Sequence, residues 1–324
     1  MRPWLGRAGR AVWRWARVVG GVLLLVLIAR RVGGGPFLDG VRAVDGAALA
    51  AAVGVGVVTT VCCAWRWSLV AAGLGVRLPL PEAVAAYYRA QFLNTTLPGG
   101  VVGDVHRAVR HGRDIGDVKL GFRAVLLERF AGQGVGIGLA VVMLVALPSP
   151  ALAPVVVTVA AVALVAVAAL VTGVLVLRAR GMSPRWARVA RRVRSDVRHG
   201  LLPRRTLLVV VVASSVVLLG NVALFLVAAR SAGSTAPLTV LTPVTLLALL
   251  AMIVPLNVAG WGPREGVAAW AFGTAGLTAA QGVTAAVTYG LLILVASLPG
   301  AAVLVLRWRR RADAPRSPDV VPDG

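Results

Sequence analysis

Acid is what this chain has least of. Twelve Asp and Glu stand against 34 Lys and Arg in 324 residues, and the glutamates are only Glu82, Glu128 and Glu265. Charged residues of both signs reach 14%, well below the roughly one quarter usual in soluble domains, so water is not the main solvent of this protein. The three histidines, His106, His111 and His199, are scattered at basic flanks with no cysteine or carboxylate arranged with them as a metal set, which argues against a metal site. No Ser-His-Asp set or paired-carboxylate arrangement appears, so an enzyme is not expected and no cofactor is called for. Cys62 and Cys63 are adjacent; neighbouring thiols cannot bridge without strain, and both read as packing residues.

Hydrocarbon-compatible sequence fills the rest, at 58% hydrophobic with a mean hydropathy of +0.85. Apolar segments recur to the end, so the first reads as a retained span rather than a cleaved leader. The formal charge of +22 is almost all arginine, Lys119 being the single lysine. Nucleic acid is the first partner such a charge suggests, but these arginines flank apolar spans and no nucleic-acid module is visible. Membrane phospholipid headgroups are the expected counter-charge.

A crossing needs about 20 apolar residues, and six stretches qualify: roughly 11–29, 47–72, 122–147, 154–177, 206–229 and 282–306. Arginine crowds the N-terminal segment, positions 107–113, 178–205 and 307–311, whereas the loop at 147–154 has no charge. The positive-inside rule then puts both termini in the cytoplasm. Arg30, Arg31 and Arg42 fall outside in that scheme, opposed in part by Asp39 and Asp45. The segment 184–200 sets Trp186, Val189, Val193 and Val197 on one helical face among arginines, as an interfacial helix would; it serves either to gather anionic lipid or only as a topology signal. Residues 1–308 form a single membrane domain, and the Pro-rich tail 309–324 is expected to be disordered in the cytoplasm.

Two further apolar stretches, about 81–112 and 237–277, are broken by Pro and Gly and read as discontinuous hairpins. Pro98 is followed by Gly103 and Arg107 at plus five and plus nine, and Pro255 by Gly260 and Arg264 at the same spacings, with Asn94 and Asn257 near the two breaks. One copy is entered from the cytoplasmic side and the other from outside, so the halves are related by inversion. The fold class is thus all-α: a polytopic membrane protein of about six full crossings and two re-entrant hairpins in a pseudo-inverted repeat, the arrangement in which transporter folds build a midplane site. Backbone freed by Pro and Gly cannot face lipid, so both breaks are expected to point inward.

Two of the three glutamates sit beside an arginine in apolar sequence, at Glu128-Arg129 and Arg264-Glu265. Intramembrane charge is costly and marks function or structural pairing. Asp104, Arg107 and His111 share one helical face. Residues about 100° apart, such as Glu128 and Arg129, must find separate partners, and by the same reasoning one of Arg264 and Glu265 addresses a ligand while the other meets a protein charge. In GQGVGIG, 132–138, the pairs Gly132 with Gly136 and Gly134 with Gly138 read as close helix contact.

LNTTLPGGVVGDVHR, AVLLERFAG and PLNVAGWGPREGVA, in this order, resemble motifs of the flippase-like membrane family related to the transmembrane domain of lysylphosphatidylglycerol synthases, over roughly residues 15–308. In bifunctional members a soluble aminoacyl-transferase domain makes a cationic lipid and the membrane domain moves it between leaflets. With the chain ending soon after the last span, no synthase domain is expected in it. The resemblance implies a headgroup cavity between two re-entrant elements. It assigns Asn94, Pro98, Gly99, Gly100, Gly103, Asp104 and Arg107 to the first motif, Glu128 and Arg129 to the second, and Asn257, Gly260, Gly262, Arg264 and Glu265 to the third, as substrate-binding positions. VTYGLLILVASLPG stands where the family often has a basic residue in the last span, which leaves the headgroup open. The expected function is a lipid flippase-like transporter of the cytoplasmic membrane; the alternative is a non-transporting scaffold for a separately encoded lipid-modifying enzyme.

Overall fold

The computed structural model describes Val26, Arg30 and residues 34–97, 100–147, 184–253 and 262–312. Nearly all of the expected first span, the whole fourth and the tail from residue 313 lie outside the described residues. Among the described residues there are ten α-helices and no strand: α1 (Gly35–Arg42), α2 (Gly46–Gly73), α3 (Leu80–Thr96), α4 (Val102–Asp114), α5 (Val118–Ala146), α6 (Pro184–Gly200), α7 (Arg204–Ser231), α8 (Leu238–Ala251), α9 (Pro263–Thr274) and α10 (Ala279–Ala312).

Four of these are long and apolar enough to cross a bilayer: α2, α5, α7 and α10 as far as Leu306. They are the expected second, third, fifth and sixth spans. Asp45 caps α2 by accepting from Ala48 N at 2.7 Å, and Asp117 caps α5 through Leu120 N at 3.0 Å, each satisfying an end donor that hydrocarbon would leave unpaired. At about 1.5 Å per residue, the 29 residues of α5 outreach a hydrocarbon core of about 30 Å.

In both broken stretches the described residues form a pair of short helices, α3 ending at Thr96 and α4 starting at Val102, α8 ending at Ala251 and α9 starting at Pro263. Proline and glycine set the breaks: Pro263 starts α9, and Gly262 before it has φ 123°, a conformation open to glycine and strained for other residues. The first pair closes where Gly103 meets the backbone of Ala90, leaving no room for a side chain, since a Cβ there would fall 1.9 Å from the Ala90 carbonyl oxygen.

Contacts between helices repeat under exchange of halves. Let α2, α3, α4 and α5 correspond to α7, α8, α9 and α10. Then α3 packs on α10 as α8 does on α5, α2 on α10 as α7 on α5, and α2 on α5 as α7 on α10, while α2 and α7 pack on each other. Repeated halves require such a pattern.

Two features depart from the sequence reading. Helix α10 runs through Ala312, past the 308 boundary, because arginine is a good helix former and is favoured at a helix C-terminus. Helix α1 escaped the pattern reading: at eight residues it is too short to show a periodicity, and it is held by α10, where Thr288 Oγ1 donates to Gly40 O at 3.0 Å. For the glycines of 132–138, the close helix contact expected from the sequence finds no described partner, and the expected fourth span lies outside the described residues. No described atom lies within 4 Å of a Cβ built at Gly134, Gly136 or Gly138, and Gly132 abuts the Arg66 guanidinium, not a backbone.

Candidate functional site

An arginine read as part of an ordinary span lies at the centre of the site. Arg66 is the only charged residue of the 47–72 stretch and is 6% exposed. Its Nε donates to Glu128 Oε1 at 2.8 Å, Nη2 donates to the same oxygen, and Nη1 donates to Ser214 Oγ of α7 at 2.8 Å. Gly132, one turn along α5 from Glu128, makes room for it, because a Cβ would fall 2.3 Å from Arg66 Cζ.

Glu128 is fully buried and stands ten residues into α5, about 15 Å from the helix start. Its second oxygen accepts from Arg107 Nη2 at 3.1 Å, and Tyr87 Oη donates to Oε1 at 3.2 Å. Arg107 also donates to Asp104 Oδ1 at 3.0 Å, and its guanidinium lies over the rings of Trp67 (4.5 Å) and Tyr87 (4.2 Å). Asp104 in turn pairs with Arg129 and accepts from Asn94 Nδ2 at 3.0 Å. Asn94 Oδ1 accepts from Gly103 N at 2.8 Å, tying α3 to α4 beside the break. Glu128 and Arg129, about 100° apart around α5, thus meet different partners.

Three guanidiniums and two carboxylates leave this cluster with one excess positive charge. The least enclosed cation is Arg129, with a side chain 32% exposed. It lines a cavity of about 360 Å³ together with Arg66, Tyr87, Asn94, Asp104 and Ser214. Across from them α8 presents Leu246, Leu249 and Leu250, continued by Met252 and Ile253. Among the described residues, the lining is polar at the first hairpin and apolar at the second.

Of the sequence-predicted residues, Asn94, Gly103, Asp104, Arg107, Glu128 and Arg129 come together here. Gly100 sits at the first break with φ 58°. Pro98, Gly99, Asn257 and Gly260 lie outside the described residues. Arg264 and Glu265 form a second cluster, and there the expectation of separate partners fails: Arg264 Nε donates to Glu265 Oε1 at 2.9 Å. The pair lies in the first turn of α9, where Glu265 folds back to accept from Gly262 N at 2.6 Å, and the long arginine can follow it over the helix end. Neither residue is among those lining the cavity. Arg264 instead lies over the ring of Tyr289 at 5.2 Å, and Tyr289 itself lines the cavity, its hydroxyl donating to Asn221 Oδ1 at 2.7 Å.

The sequence reading missed Arg66, Tyr87, Ser214, Asn221 and Tyr289. A lone arginine deep in an apolar span was the available signal for Arg66; the others carry none that periodicity reveals.

Fold and site together define a polytopic helical membrane protein with a charged internal cavity walled by two broken hairpins. The family described as lysylphosphatidylglycerol synthase TM region matches residues 14–300, and the chain belongs to it. Among curated proteins, none matches the chain significantly.

Proposed function

We propose that this protein is a non-enzymatic translocator that moves a phospholipid, or another lipid with a polar headgroup, between the leaflets of the cytoplasmic membrane, with both termini in the cytoplasm and inversely related halves. One observation carries the reading: a cavity at membrane depth has a charged wall with one surplus cation and an apolar wall facing it. An amphiphile needs both walls. Arg129 is the group to meet an anionic part of the headgroup such as its phosphodiester, since it faces the cavity and its only described carboxylate partner, Asp104, is shared with Arg107.

In vesicles reconstituted with the purified protein, fluorescent phospholipid in the inner leaflet becomes accessible to an external quencher. Arg129→Gln slows this about tenfold, the worth of one charge-assisted hydrogen bond. Rates equal to those of protein-free vesicles across a broad lipid panel overturn the reading. A scaffold for a lipid-modifying enzyme is the second reading, favoured by the exposed arginines Arg188, Arg191, Arg192 and Arg194 on α6. A stoichiometric enzyme partner in native membranes, with leaflet composition unchanged on deletion, selects it.

A further inference from the structure

Arg107 borders a second pocket. Its Nη2 holds Asp104 and Glu128, but Nε and Nη1 have no hydrogen-bond partner among the described residues. The same is true of Trp67 Nε1 and His111 Nε2. All three side chains are more than nine-tenths buried, and all three line one pocket of about 40 Å³ between α2, α3 and α4. Buried polar groups without partners are unfavourable, and four such atoms at one small pocket are what an occupant would satisfy.

We infer that this pocket is a binding site for a phosphate group. Arg89, itself 3% exposed, and half-buried Arg110 complete a basic lining. The pocket also contains two carboxylates, Glu82 and Asp114, both exposed, where water screens them more effectively than it screens buried cations. The buried part of the lining is therefore rich in donors, and the acids are on its exposed side. Since about 10–15 Å³ of such volume admits one water, the pocket takes about three water-sized atoms, which suits the free oxygens of a phosphate. The rings of Trp67 and Tyr87 cover the faces of the Arg107 guanidinium, leaving its in-plane N–H groups for the ligand.

The site does not depend on the proposed translocation, because it is defined by donors outside the larger cavity. It does share a wall with it: Arg107 carries the pocket on one edge and the Asp104–Glu128 pair on another. Occupancy is therefore felt by the cluster.

The test uses the full chain in nanodiscs of phosphatidylcholine, titrated calorimetrically at constant ionic strength with inorganic phosphate and, separately, with dihexanoyl phosphatidic acid. Saturable binding of both probes assigns the pocket to a bare phosphate, and binding of the lipid alone assigns it to a headgroup. Arg110→Gln and Trp67→Phe, the latter removing the N–H while keeping a ring, each weaken binding about tenfold; exposed Arg113→Gln, outside this pocket, does not. Two variants are used so that poor folding of one leaves the other to decide. Failure of both probes to bind, or binding indifferent to both variants, overturns the inference and leaves a pocket holding only water. Nanodisc binding involves no leaflet exchange, so that failure is separable from failure of the quenching assay.

Discussion

Glu128→Gln is the substitution that tests most directly whether the buried cluster holds the protein together. The side chain keeps its shape, but the fully buried carboxylate accepts from Arg66 Nε and Nη2, Arg107 Nη2 and Tyr87 Oη. An amide offers one acceptor oxygen and turns its NH₂ toward a guanidinium. With the amide oxygen kept on Arg66, the NH₂ faces Arg107, which retains Asp104 as its oxygen partner, and the excess charge of the cluster rises from one to two. Removing one partner of a buried ion pair costs about 3–5 kcal/mol, and that is the loss expected here. Cys62 and Cys63 are the only cysteines, and Cys63 is buried one turn from Arg66, so unfolding in detergent can be followed with a thiol-reactive fluorogenic dye. Replacing both charges by methionine, in Arg66→Met with Glu128→Met, removes the stranded ion and should recover much of the loss. Glu128→Gln within about 0.5 kcal/mol of wild type, or a double variant that loses the sum of the two singles, would refute the ion-pair account.

Four further outcomes follow from the same geometry. Gly132→Ala drives a Cβ into Arg66 and costs about 1–3 kcal/mol, while Gly134→Ala, with no described neighbour, is neutral or gains up to about 1 kcal/mol in helix propensity; the dye assay separates them. Gly103→Ala cannot be seated against Ala90 without opening the first hairpin, and its loss should reach about 3 kcal/mol. Asp196→Asn releases the Arg123 pair that fastens α6 to α5, so amide exchange along 187–199 accelerates about tenfold while the spans are unchanged. Tyr289→Phe removes the hydroxyl bonded to Asn221 and costs about 1 kcal/mol in the same dye assay.

The scaffold was legible because the bilayer makes length and apolarity decisive. Spans such as 47–72 and 206–229 announce α2 and α7 within a few residues, and the Pro and Gly clusters mark both interruptions, since nothing else would tolerate them in a span. Partners were less legible. Spacing alone indicated that Glu128 and Arg129 face different ways, and they do. The same argument failed for Arg264 and Glu265, because a helix end lets side chains fold back over the terminus, where angular separation no longer governs reach. Arg66 was overlooked for the opposite reason: with no adjacent acid, its partner Glu128 lies 62 positions away, a separation that only tertiary packing closes.

Symmetry of contact and asymmetry of chemistry together bear on what the cavity can hold. The halves exchange in how their helices pack, yet they have diverged in what they present. Around α7 to α10 lies a large apolar core that includes Leu224, Phe225, Leu241, Leu246, Phe272 and Leu292. Among the described residues, the clusters around α2 to α5 bury smaller sets, Ala64, Trp67, Ala83, Ala108 and Val125 in one and Ala71, Val76 and Ala124 in another, and the buried charges of Arg66, Arg107 and Glu128 stand beside them. An apolar core repacks with small losses, whereas a charge network in a low-dielectric interior is stable only when each member keeps its partner. Apart from the Arg264–Glu265 pair, which does not line the cavity, the second half therefore serves as the apolar frame, and the first fixes the positions of the charges the cavity offers. A ligand bound between them is held by directional contacts on one side and by hydrocarbon on the other, so substitutions at Leu249 or Leu250 are expected to alter tolerance for tail structure, and substitutions at Arg129 to alter discrimination among headgroups.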